Sequence, residues 1–213
     1  MQNSFNKYEG PLAFVQNALI ANGGETPLNG FQSFRKRSAH CKRVLGWCNR
    51  LLINEPNINV DKKVLFLSAV FHDAGYNSFS EPHEQVGARV FQEYAEKHSL
   101  DEFLFRKVEA NILMHSDKSQ LNLSDTPIER ILLMEADLLD EEGAMGIVAD
   151  CLTVAQQTPD SMGYDKVLQQ LYSFASEILE HSPMITPYAK RCWSQKQCIV
   201  SEFIAALKND LLF

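Results

Sequence analysis

An all-helical fold is the expectation for this chain of 213 residues. Three observations carry it. Apolar residues recur three and four apart in every long segment, the period of a helix with one buried face. No segment sustains the alternation of a half-buried strand. The breaks between segments, such as 22–29 and 54–59, are short, polar and rich in Gly, Pro and Asn. None of them reads as an interdomain linker and no internal repeat is visible, so a single domain over 1–213 is expected.

The elements follow in order. Segment 11–22 opens on Pro11, which suits a first turn, and stops at Gly23-Gly24. Segment 33–53 places Val44, Trp47, Cys48 and Leu51 at helical spacing. Asp61 offers an N-cap to a helix over 61–74 that Gly75 ends. Within it, Val64 to Phe71 is β-branched enough for a buried strand, but its length between Asp61 and Gly75 favours a buried helix. Segment 82–98 sets Val86, Val90, Phe91 and Tyr94 on one side, and 101–116 aligns Leu104, Val108, Ile112 and His115. Thr126-Pro127 opens a helix to about 142, Gly143 interrupts it, and 146–157 continues. Val167, Leu168, Leu171, Phe174 and Ile178 make a helix of 164–181, and Thr186-Pro187 begins a last one to about 211. The stripe Trp193, Val200, Phe203, Ile204 and Leu207 of that last helix reads as core; a homodimer face would look the same.

Composition narrows the function. Hydrophobic residues are 45% and charged residues 22%, ample for a packed core and unlike a disordered chain. The longest apolar run falls far short of the ~20 residues a bilayer requires, so no membrane partner is expected. Twenty basic against 27 acidic residues leave a net charge of −7, which argues against general nucleic-acid binding. No secretory signal opens the sequence. Five cysteines are an odd number, and on helices Cys41/Cys48 and Cys192/Cys198 would stand roughly 9–10 Å apart, beyond disulfide reach. Reduced thiols in a cytoplasmic protein are expected.

Residues that can do chemistry recur about once per helix. His40 lies in line with Val44, Trp47 and Leu51; His72 follows the most apolar run and precedes Asp73; His115 ends its stripe; Asp137 is embedded in Ile131-Leu132-Leu133-Met134-Glu135-Ala136-Asp137-Leu138-Leu139. One histidine on an apolar face is usually a hydrogen-bonded core residue, and one aspartate in a helix is usually solvated or capping. Jointly they point elsewhere, because a buried carboxylate is costly unless paired or bound to a metal. Imidazole with carboxylate suits Zn²⁺, Mn²⁺, Fe²⁺, Co²⁺ or Ni²⁺, and neighbouring helices can aim such groups into one core.

The pattern His40, His72-Asp73, Asp137 resembles the H…HD…D signature of the HD-domain superfamily of metal-dependent phosphohydrolases. His40-Cys41-Lys42-Arg43-Val44 resembles its H-x-x-R-V, and Leu67 to Gly75 its apolar-A-x-x-HD-x-G helix end. Pro82-His83-Glu84 and Glu135 to Gly146 resemble the HE and A-D-x-L-D…G-A-x-G segments of one bacterial branch, and Thr186-Pro187-Tyr188-Ala189-Lys190 fits its last helix. The resemblance spans about 33–210. It implies an HD-domain helical bundle with a signature core at about 33–157 and additional C-terminal helices at 164–211. It also implies a metal held by His40, His72, Asp73 and Asp137, with His83 and His115 binding either a second ion, bridged by Asp73, or the substrate. Mg²⁺ joins the list of suitable ions.

The implied activity is hydrolysis of a phosphate ester of a small phosphorylated substrate, such as a nucleotide, a phosphomonoester or a phosphodiester. One or two ions would acidify a water for in-line attack. Asp73 and Glu84 are the expected catalytic groups, Glu84 orienting that water or moving its proton; an acid near a helix start is also favoured for its own sake. Arg43 and Lys118 are expected to bind substrate. Arg35-Lys36-Arg37 reads as a solvated helix face or an anion funnel, and His98 and His181 lie at polar helix ends. His72-Asp73-Ala74-Gly75-Tyr76 lacks the acid that follows the dyad in nucleotidase-like members and the lysine of the cyclic-dinucleotide phosphodiesterases. The Gly-Tyr-Pro signature and the acidic pair of alarmone hydrolases are missing too, so no substrate assignment follows. Two rival functions use the same residues: a mixed-valent di-iron oxygenase of this fold, and a non-catalytic metal- or nucleotide-binding regulator.

Overall fold

The computed structural model describes residues 6–25, 36–76, 81–157, 163–164, 166–171 and 182–211. Their regular elements are all helices, with no strand among the described residues. The expected start at 33–35, the second half of the helix expected at 164–181, and His181 lie outside the described residues. The fold is the predicted all-α one.

Two compact units divide the chain, Met1–Asp137 and Leu138–Phe213, and the boundary falls inside one helix. The first unit is built around its most apolar segment. A short 3₁₀ turn at Asn6–Tyr8 leads into α1, Glu9–Ala21, followed by α2, Arg37–Asn54. The run expected to be a buried helix is α3, Lys62–Phe71, and every residue from Val64 to Phe71 is buried. Asp61 caps it as predicted, accepting from the amides of Lys63 and Val64 at 2.9 and 3.2 Å. α4, His83–Lys97, and α5, Glu102–Met114, pack beside it, the latter capped by Asp101. Phe71, Phe91, Tyr94 and Phe14 interlock their rings with centroids 5.0–6.3 Å apart, which fixes α1, α3 and α4 together. A five-residue 3₁₀ helix at Lys118–Asn122, not anticipated from sequence, links α5 to α6, Ile128–Glu141.

The second unit holds α7, Ala144–Gln157, which begins two residues before the sequence suggests, and α8, Pro187–Leu211. Residues 166–171 are helical as well. Ile147, Val154, Val167, Leu171, Val200 and Ile204 form its core. Gly143 has φ +75°, a left-handed conformation open to glycine, and Lys196 donates to the carbonyl of Glu142 at 2.9 Å. Among the described residues no helix is long and apolar enough to cross a membrane. All five cysteines are unpaired.

Candidate metal centre

The end of α3 tightens. His72 N still reaches Ser68 O at 2.9 Å, but Ala74 N turns to Phe71 O and Tyr76 N to Asp73 O, both at 3.0 Å. These shorter closures narrow the turn. They aim at one point two side chains that a regular helix would hold about 100° apart. His72 Nε2 lies 3.9 Å from Asp73 Oδ2. From α2, His40 Nε2 stands 3.2 Å from His72 Nε2 and 3.6 Å from Asp73 Oδ2. From α6, Asp137 Oδ1 stands 3.1 Å from His40 Nε2 and 3.7 Å from His72 Nε2. All four residues are buried.

Asp73 turns its other oxygen to a second cluster. Oδ1 is 3.4 Å from His83 Nε2 and 3.5 Å from His115 Nε2, and those two nitrogens are 3.3 Å apart. His83 opens α4 and His115 closes α5. The start of α4 reaches Asp73 because Gly75 has no side chain: a β-carbon there would overlap the carbonyl of His83 and the amide of Gly87. Gly75 was expected to end α3. The positive-φ glycines among the described residues are Gly23 and Gly143, so the reason for glycine at 75 is close approach.

Each of the two carboxylates also meets a cation of the chain. Arg37 Nη1 donates to Asp73 Oδ2 at 2.8 Å, and its guanidinium lies 3.6 Å over the ring of Tyr76. Lys118 Nζ donates to Asp137 Oδ2 at 2.6 Å and to His115 O at 2.9 Å. Burial opposes ionisation of Asp73, but His72, His115, Arg37 and His40 outweigh it and hold the carboxyl well below its ordinary value. At Asp137 burial is likewise outweighed, by Lys118, His40 and His72. Both groups are therefore anions at neutral pH.

The donor set fits a divalent transition metal. His72 Nδ1 donates to Ala69 O at 2.9 Å and His115 Nδ1 to Ile112 O at 2.7 Å. A carbonyl only accepts, so these contacts assign the proton to Nδ1. In the neutral ring Nε2 then directs a lone pair at the carboxylate oxygens, an arrangement that calls for a cation between them. Backbone carbonyls orient metal-binding histidines in this way. The facing nitrogen and oxygen atoms stand 3.1–3.9 Å apart in the first cluster and 3.3–3.5 Å apart in the second; a regular tetrahedron with edges of roughly 3.4 Å has its centre about 2.1 Å from each corner, close to a zinc–nitrogen bond.

The other expected site residues are placed as follows. Glu84 sits beside His83 in the first turn of α4, its Oε2 3.5 Å from His83 Nδ1. Lys118 is engaged by Asp137. Arg43 is half-buried, one turn beyond His40. His98 caps the end of α4 against the ring of Tyr94. The basic run needs correcting: Arg35 lies outside the described residues, while Arg37 is buried at 8% exposure and paired with Asp73 rather than solvated. The missed signal was its position three before His40, which puts both on one helix face. Ser116, also missed, places its hydroxyl 3.3 Å from both His83 Nε2 and His115 Nε2. A serine following a histidine carries no sequence signal of its own.

The family profile of the HD domain matches residues 37–142, which contain every residue of both clusters. The chain belongs to the HD-domain superfamily. Two solved structures share its fold. The Lin1889 protein of Listeria innocua is 21% identical, with a TM-score of 0.62 over 95% of this chain and 96% of that one. A protein of Lactobacillus plantarum is 18% identical, with a TM-score of 0.58 over 95% and 97%. No curated protein matches the chain. HD domains bind divalent metals, and the His/Asp groupings here, each with its ligand atoms within 4.8 Å of one another, are of a kind that could hold one.

Proposed function

We propose that the chain is a metal-dependent phosphohydrolase acting on a small phosphate ester. His40, His72, Asp73 and Asp137 hold one divalent ion, and Asp73, His83 and His115 a second. The observation that carries this reading is the splayed carboxylate of Asp73: one oxygen faces His40 and His72, the other faces His83 and His115. Bound ions supply a Lewis acid for a phosphoryl oxygen and a water of lowered pKa. The chain supplies the rest. Arg37 and Lys118 neutralise these two carboxylates, which leaves the loaded centre positive and attractive to a phosphate. Glu84, half-buried beside the second cluster, accepts the proton that the attacking water gives up. Arg43 steadies the phosphate from α2. Five unpaired cysteines, three of them buried, suit the reducing cytoplasm.

The test is metal content per chain by elemental analysis, beside hydrolysis of a panel of nucleotides, phosphomonoesters and phosphodiesters, in the wild type and in His72→Ala. The variant should lose metal and activity together. Stoichiometric metal retained in His72→Ala would sink the assignment. Two irons with oxygen consumption and no hydrolysis would instead favour the oxygenase.

A further inference from the structure

The second cluster has a fourth corner. The hydroxyl of Ser116 stands 3.3 Å from His83 Nε2 and 3.3 Å from His115 Nε2, and those nitrogens are 3.3 Å from each other. Asp73 Oδ1 lies 3.4 and 3.5 Å from the same two nitrogens. Five of the six edges of a small tetrahedron thus agree within 0.2 Å, and a regular tetrahedron of that edge has its centre about 2 Å from every corner.

The hydroxyl is also turned the right way. The carboxyl of Glu84 is hydrogen-bonded to Ser116, and its Oε2 lies 3.5 Å from His83 Nδ1. A carboxylate accepts only, so the single hydroxyl proton of Ser116 goes to Glu84. What Ser116 presents to His83 and His115 is an oxygen lone pair. His115 Nδ1 already donates to Ile112 O, so in the neutral ring its Nε2 presents a lone pair as well. Two acceptors and a carboxylate oxygen converge on one place, a set that a cation satisfies together.

We propose that Ser116 is a fourth ligand of the second ion, with Glu84 as the positioning residue that holds its oxygen toward the metal. The proposal rests on the two-ion reading above. It extends that reading by making the second site a complete tetrahedron of chain atoms, selective for a small tetrahedral cation such as Zn²⁺ or Co²⁺.

The experiment titrates Co²⁺ into the metal-free full-length chain, counting bound ions and recording the absorption spectrum. The variants are Ser116→Ala, Ser116→Cys and Glu84→Gln. The expected result is two ions in the wild type. In Ser116→Ala the second ion should bind at least tenfold more weakly while the first is unchanged. Ser116→Cys should restore it and add a sulfur-to-cobalt charge-transfer band in the near ultraviolet. Glu84→Gln should weaken the second ion by less than Ser116→Ala. Two ions bound equally well by Ser116→Ala, with no sulfur band in Ser116→Cys, would overturn the role of Ser116 and leave the two-ion reading standing. A wild type that takes one ion overturns both.

Discussion

Gly75 and Gly87 pack backbone against backbone, the turn after α3 pressed onto the first turns of α4. A β-carbon on Gly75 would collide with the Gly87 amide and come within 2.6 Å of the Val86 β-carbon. The contact sets how near His83 comes to Asp73.

Gly75→Ala should therefore separate the two helices and open the second cluster first. Overpacking a tight contact costs about 1–3 kcal/mol. Urea unfolding should show a loss of that size, and metal analysis should show one ion fewer per chain. A variant of wild-type stability that keeps both ions would contradict this account of the glycine.

Arg37 and Asp73 form a buried ion pair, with side-chain exposures of 10% and 6%. Breaking such a pair from one side strands a charge and costs about 3 kcal/mol or more. Arg37→Ala should destabilise the metal-free protein by that order. The loss should be much smaller with saturating metal, because the ion then supplies the missing positive charge. Arg37→Lys keeps the charge but not the planar stack on Tyr76, and should fall between. Parallel denaturation curves with and without metal make the comparison.

The depressed pKa values of Asp73 and Asp137 fix a pH window. A carboxylate whose folded pKa is lowered adds stability above its unfolded value of about 4 and loses it as pH falls through the lower folded value. The metal-free protein should thus hold these contributions from neutral pH down to about 4 and lose them below. Lys118→Met removes the ammonium that outweighs the burial of Asp137. Its acid-unfolding midpoint should move to higher pH, as followed by circular dichroism; an unchanged midpoint would show that the ammonium does not set this ionisation.

Metal removal should act on stability as well as on activity. Ligands that bind only the folded state stabilise it by about 4 kcal/mol at a thousandfold excess over Kd. Chelation should lower the melting temperature by several degrees, and returning Zn²⁺, Mn²⁺ or Co²⁺ should restore it. His40→Ala should melt at the same temperature with and without metal if the first ion dominates the effect.

Much of this was legible before any coordinates. The helical period identified the fold, and Asp61 announced its helix as a cap. The burial of His40, His72, Asp73 and Asp137 followed from the apolar residues around them. What escaped notice depends on distance through space. Arg37 looks like part of a solvated basic run until the turn at 72–76 folds Tyr76 over it. Gly75 looks like a helix stop because the glycine it meets is twelve positions away. Ser116 is chemically ordinary, and its meaning comes from His83, on another helix. Most helix ends drifted by one or two residues, and α3 stops at Phe71, three short of the expected 74, since capping and fraying are settled locally.

α3 has no wet side: all eight residues from Val64 to Phe71 are shielded. The segment that delivers the histidine–aspartate dyad thus contains no neutral ground. Any exchange there must keep volume and polarity or be felt at the dyad itself. In lineages that keep this chemistry, drift should be slow along those eight positions and gather on the exposed flanks of α4 and α5.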